Sequence, residues 1–397
     1  MKKALLFVVA VAVLLGGGWF FALRYCEARE TRAARAAWVG LGSVDAAPQR
    51  YPEVKQSDGA TKLVALASAA HIDMVPRYRA KDVNTETKPA PDAETMAVRK
   101  ALGDYIKAQF ERVGDAIDAP PPLAARYLAG NDAALNAIRD HLLSGAPITW
   151  DAKLSDGFDQ PIPNLLGVMH LQRAFSARAL DKARRNDPAA WDDLHASWEL
   201  NRSLWSRPEL LSTLIALAST RMSNGAARKM PLPAPAWLSE TYSFDYVGAM
   251  AASQQAEAWA IRHAMPGRRP MSDVMRAPWY AYQSADALDV LRTYTDAAVR
   301  SKACDADSSQ FATARAAMVT TNNVAIPNLI GAWHRLMRFR AELEATERVL
   351  QLRAGQTPSP QSQCSDGTWQ VTANSIKFSR SVKVPPPGIE FPLEYVR

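Results

Sequence analysis

Residues 187–217, DPAAWDDLHASWELNRSLWSRPELLSTLIAL, read as two helices joined by a turn. Pro188 suits a first helical turn, because its missing N–H is one the helix would leave unpaired and its φ is already helical. Trp191, Trp198 and Trp205 recur every seven residues, which sets three indoles on one helix face. Ser206 and Pro208 then repeat the start signal, ahead of Leu210, Leu211, Leu214, Ile215 and Leu217.

The same pattern continues on both sides. Met96, Leu102, Tyr105, Ile106, Phe110, Val113 and Ile117 keep helical spacing over 94–117. Asn131-Asp132 can cap a helix through Leu135, Ile138, Leu142 and Leu143 that Gly145 stops. Residues 164–185 form a long alanine-rich helix, and further helices fit 245–265, 281–303, 308–322 and 328–354, with 84–95 (NTETKPAPDAET) as an exposed linker. After Gly355 the character changes. Trp369, Val371, Ile376, Phe378, Val382 and Val384 alternate with polar residues, a strand pattern with Ala373-Asn374 as its turn, and IEFPLEYVR offers a last extended segment. The expected fold is therefore all-α, a multi-helix bundle or irregular helical array with an N-terminal transmembrane helix and a small C-terminal β appendage.

Residues 4–23, ALLFVVAVAVLLGGGWFFAL, carry no charge and are long enough to span a bilayer core of roughly 30 Å. The run exceeds a signal-peptide core and no small-x-small cleavage site follows it, so an uncleaved anchor is expected. Trp19, Phe20, Phe21 and Tyr25 would form an aromatic belt at its far end. Lys2 and Lys3 precede the span, and Arg24, Arg29, Arg32 and Arg35 follow it, so charge alone does not orient it. A short basic tail before a long first span is the usual signal-anchor arrangement. The expectation is a bacterial inner-membrane protein with its body in the periplasm. The division is then 1–3 cytoplasmic tail, 4–23 anchor embedded in membrane lipid, 24–60 juxtamembrane helix and linker, 61–355 helical domain, and 356–397 loop and small β segment.

The net charge of +7, from 47 basic and 40 acidic side chains, is mild and forms no basic module, so no nucleic-acid partner is expected. Three cysteines include no C-x-x-C pair, and the six histidines include no H-E-x-x-H, so no metal and no cofactor is expected. Cys304 and Cys364 pair if the compartment is oxidising, and are otherwise unrelated thiols. Ile162–His170 (IPNLLGVMH) recurs as Ile326–His334 (IPNLIGAWH), with Phe175 matching Phe339, Ala177 matching Ala341 and Arg184 matching Arg348. The Asn in each copy can cap a helix and the Gly three residues on permits close approach. Convergent helix starts and a duplicated unit both account for the echo.

The tryptophan stripe also has two readings. It is helix core, or it is one wall of a ligand groove in which Trp191, Trp198 and Trp205 are flanked by His195 and Arg202 and hold a glycan, peptide or lipid headgroup.

The segments YLAGNDAALNAIRDHLL (127–143), PITWDAKL (147–154), IPNLLGVMHLQRAFSARAL (162–180) and AAWDDLHASWELNRSLWSRPELLSTLIALAS (189–219) resemble a family of uncharacterised bacterial proteins with one N-terminal membrane helix and an alanine- and leucine-rich helical body. The resemblance covers about a third of the chain and implies that architecture, with a short proline-, glycine- and tyrosine-containing β segment that VPPPGIEFPLEYVR (384–397) partly matches. It implies no activity and no catalytic residue. With no catalytic signature in the sequence, the expected role is binding or scaffolding in the cell envelope toward a protein partner. The alternative is an atypical enzyme acting on a cell-wall or lipid substrate.

Overall fold

The computed structural model describes residues 2–76, 93–264, 277–305, 329–382 and 391–397. The expected helix over 308–322 and residues 84–92 of the expected linker lie outside them.

Helix α1 (Lys2–Arg35) is continuous from the apolar run into the Arg-rich segment. Leu14, Leu15 and Phe21 are exposed, while Ala33 and Ala34 are buried. Among the described residues this is the one helix long and apolar enough to cross a membrane. Trp38 to Arg50 then turn back through a bridge from Trp38 to Gly42 and the short α2 (Ala47–Arg50), burying Trp38, Val44 and Ala47.

Helices α3 (Asp58–Ala69), α4 (Ala93–Phe110), α5 (Pro122–Gly130) and α6 (Asp132–Leu143) form one flank. Helix α4 ends at Phe110 instead of running to 117, because its last turn is held by the returning chain. Gln109 Oε1 accepts the Asp118 N–H at 2.9 Å and Tyr105 donates to the Asp118 carbonyl at 3.0 Å. Asn131 does not cap α6. Its side-chain amide donates back to the Tyr127 carbonyl and closes α5 instead.

The centre is built from α7 (Leu165–Arg184), α8 (Ala190–Trp205) and α9 (Leu210–Ala227). Helix α7 buries nearly its whole circumference, as an alanine-rich helix must when neighbours approach on every side. Its start is the capped one the sequence indicates, with Asn164 Oδ1 accepting the Gly167 N–H at 3.3 Å. A Cβ on Gly167 would overlap the Asp73 carbonyl, so this glycine admits the backbone after α3.

Buried charges tie the helices together. Asp193 on α8 receives Arg178 and Lys182 of α7. Helices α10 (Leu238–Ser243), α11 (Tyr246–Ala264), α12 (Ala277–Arg300) and α13 (Leu329–Arg353) complete the body. Glu342 of α13 accepts two bonds from Arg221 of α9, at 2.7 and 2.8 Å, and one from Arg338 at 3.1 Å. Burial acts to raise the Glu342 pKa, but these guanidiniums outweigh it and hold the carboxyl below its usual range.

The tail is an antiparallel sheet in the order β1 (Trp369–Val371), β2 (Ser375–Phe378), β3 (Glu394–Val396), with Ala373-Asn374 inside the β1–β2 turn as expected. Trp369 donates its indole N–H to Glu344 of α13 at 2.7 Å, and a disulfide joins Cys304 to Cys364 across a Cα separation of 5.3 Å. In the echoed helices α7 and α13, Phe175, Phe339, Ala177 and Ala341 are all fully buried.

Candidate functional site

The tryptophan stripe is packed inside the body. Trp191, Trp198 and Trp205 are buried, and the chain from Pro231 to Tyr246 covers them. Trp191 meets Trp237 edge-on, Trp198 meets Phe244, and Trp205 lies between Phe244 and Tyr246 at 5.6 and 5.2 Å. The indole N–H of Trp191 donates to the Pro231 carbonyl and that of Trp205 to Thr220. His195 and Arg202 are on the outer side of the helix. His195 stacks on Trp237 at 4.6 Å, and Arg202 is paired with Glu199 at 2.9 Å. The five residues therefore share a helix without forming an open groove. The physical reason is that an apolar face this large is filled by the nearest apolar segment of the same chain.

The open space lies on the other flank. A cleft of about 1060 Å³ runs between α3, α4, α5 and the start of α7, with Val64, Ile72, Met74, Val98 and Leu123 on its apolar walls. Its shape follows from two local events. His71 takes the left-handed conformation at φ 58°, and the Ile72 N–H bonds back to the Ala67 carbonyl at 3.0 Å, closing α3. The chain then crosses Gly167, which has room for backbone only.

His170 lies on the wall of this cleft and is 2% exposed. Its ring stacks on Tyr127 of α5, and Arg99 Nε of α4 donates to Nδ1 at 3.4 Å. A guanidinium can only donate, so Nδ1 is the acceptor and the proton of the neutral ring is on Nε2. Burial, then Arg99, then Arg173 lower the His170 pKa from 6.5 to about 4, so the ring is neutral near pH 7. Its Nε2 is buried with no hydrogen-bond partner among the described residues. An unpaired buried donor costs about 1–3 kcal/mol and needs a reason.

Two arginines act on this ring, Arg99 at Nδ1 and Arg173 beside it. Arg173 is one turn along α7, and its pKa is lowered by burial first and by Arg99 second. Arg126 of α5 stands on the cleft wall. None of Arg99, Arg126 and Arg173 has a carboxylate within ion-pair distance among the described residues. Asp73 and Glu94 also line the cleft, and Asp73 accepts the Val75 N–H at 3.2 Å. The arrangement is an apolar cleft with His170 on its wall, Arg99 and Arg173 close to that ring, and Arg126, Asp73 and Glu94 on the cleft lining; a neutral imidazole donor near guanidiniums can hold an acidic oxygen. No group of three or more His, Cys, Asp or Glu among the described residues is placed to hold a metal.

The sequence shows His170 only as an echoed residue, and does not mark Arg99, Tyr127 and Arg126 as its neighbours. One signal exists in LLGVMHLQRAF, where a histidine and an arginine sit three apart on a helix otherwise made for burial. No protein-family model, curated protein or solved structure matches this chain.

Proposed function

We propose that this chain is a membrane-tethered binding protein of the bacterial cell envelope, held in the inner membrane by residues 4–23 with its body in the periplasm. Its ligand carries an acidic, oxygen-rich group and seats in the cleft beside His170. The observation that carries this reading is the buried Nε2–H of His170, unpartnered among the described residues, on a ring that Arg99 and Arg173 approach. The apolar walls favour a ligand whose acidic group is joined to an apolar part. The disulfide between Cys304 and Cys364 supports an oxidising compartment.

The test is thermal unfolding of the full chain in nanodiscs, titrated with inorganic phosphate against chloride at matched ionic strength. Phosphate-specific stabilisation that His170→Gln and Arg99→Gln both weaken supports the reading. Equal stabilisation by the two anions, or a phosphate effect both variants retain, refutes it.

A further inference from the structure

Helix α1 and helix α12 run side by side, and their cross-contacts fix a register. Arg29 pairs with Asp286, Ser284 donates to Glu30 at 2.5 Å, and the Val39 N–H donates to Asp296 at 2.8 Å. Arg29 and Glu30 lie on α1 and Val39 four residues past its end, at separations of 257, 254 and 257 from their partners, so the chain of α1 and its extension advances along α12 in the same direction. This offset places Trp279 level with residues 22–25 of α1, and Tyr282 about one turn further along.

That level is the end of the apolar run. Phe20, Phe21 and Tyr25 are exposed there, and so are Trp279 and Tyr282, at 54% and 40%. Trp279 and Tyr282 stack at 6.2 Å, and Arg29 lies over the Tyr282 ring at 4.4 Å. Two exposed aromatics on a body helix are therefore continuous with the aromatic end of the anchor. Tryptophan and tyrosine favour the bilayer interface, where an amphipathic ring meets both hydrocarbon and headgroups.

We infer that the first turns of α12 are a second membrane-contacting element, with Trp279 and Tyr282 seated among the lipid headgroups beside the anchor. The inference rests on the reading of residues 4–23 as a membrane span. It gives the body a fixed lower face, with the β1–β2–β3 sheet at the opposite end, because the Cys304–Cys364 link ties the tail to the far end of α12.

The full chain in phosphatidylcholine–phosphatidylglycerol nanodiscs tests this, with single spin labels on a Cys26→Ser background. Labels are introduced by Trp279→Cys, Tyr282→Cys, Leu14→Cys in the span and Gln370→Cys on the exposed face of β1. The expected result is collision with a water-soluble nickel chelate several-fold lower at 279 and 282 than at 370, together with oxygen accessibility approaching that at 14. Chelate accessibility at 279 and 282 equal to that at 370, with 14 protected, overturns the seating and leaves the anchor intact. Protection from both chelate and oxygen shows a protein contact and also overturns it. Chelate access at 14 removes the anchor reading itself, and the seating with it.

Discussion

Acidification should unfold this protein partly through His170. The imidazole is buried and neutral in the fold, with a pKa lowered to about 4 by burial and by Arg99 and Arg173. In the unfolded chain it titrates near 6.5. Between those values the unfolded chain binds a proton that the folded chain refuses, so stability rises with pH across this window. The contribution is fully present above pH 6.5 and is lost as pH falls toward 4. At pH 5 the loss is about 2 kcal/mol, and it approaches about 3 kcal/mol below pH 4. The assay is urea unfolding followed by tryptophan fluorescence at pH 7, 6 and 5, comparing the full chain with His170→Gln. Carboxylates contribute mainly below pH 5 and are common to both proteins, so the difference between the two pH profiles isolates the imidazole. The wild type should lose about 2 kcal/mol more than the variant between pH 7 and 5. Bound phosphate should shrink that difference, because an anion favours the charged ring. Parallel profiles for the two proteins would refute the assignment of a buried neutral imidazole.

The remaining expectations concern the packing that holds the cleft and the body. Glu342→Ala leaves Arg221 and Arg338 without their shared carboxylate, and urea unfolding should show a loss of about 3–5 kcal/mol. Gly167→Ala drives a methyl group into the Asp73 carbonyl and should cost about 1–3 kcal/mol while also weakening phosphate binding. Reduction of Cys304–Cys364, which spans 60 residues, should cost about 4 kcal/mol, read by comparing unfolding with and without reductant. Trp198→Ala removes a buried indole packed on Phe244 and should cost about 3–5 kcal/mol, with phosphate affinity unchanged in whatever fraction stays folded.

What the sequence could disclose follows from the range of the forces involved. Helix starts are local, so Pro188 and Asn164 mark the beginnings of α8 and α7 from neighbouring residues alone. The β1–β2 hairpin is equally local, with its alternation and turn inside ten residues. Helix α3 does have a local start, Ser57, whose hydroxyl accepts the Ala60 N–H at 3.1 Å, but the Gly, Pro and Asp residues before it read first as irregular chain. Helix α5 lacks so strong a signal. Helix α5 starts in a run of prolines, Pro120–Pro122, that reads first as a loop, and its apolar residues are few. The end of α4 depends on Asp118 folding back on Gln109, a contact that no periodicity encodes. The cleft is harder still. His170 acquires its character from Arg99, 71 residues away, and from Tyr127 on a third helix. A seven-residue spacing of tryptophans, by contrast, is visible at once but cannot say whether the facing surface is solvent or chain. Here residues 231–246 fill it.

The way the apolar N-terminal helix joins the body bears on how the proposed cleft would be held relative to a membrane. A tether of Gly, Ser and Pro would let a body sample many heights above a membrane. Residues 26–50 do not behave as one. Ala33 and Ala34 are buried on α1, the Val39 N–H is bound by Asp296, and Gln255 donates to the carbonyls of Leu41 and Ser43. Arg50 closes the loop by donating to Gln255 at 3.1 Å. These contacts tie the segment after the apolar run to α11 and α12, so a tilt of the body about this segment breaks part-buried hydrogen bonds rather than rotating a free linker. This attachment matters for the cleft because one of its walls, the start of α7, belongs to the same packed core. A ligand seated beside His170 would then be presented at one distance from the bilayer and in one orientation. That geometry suits recognition of something itself fixed relative to the membrane better than capture of a freely diffusing solute.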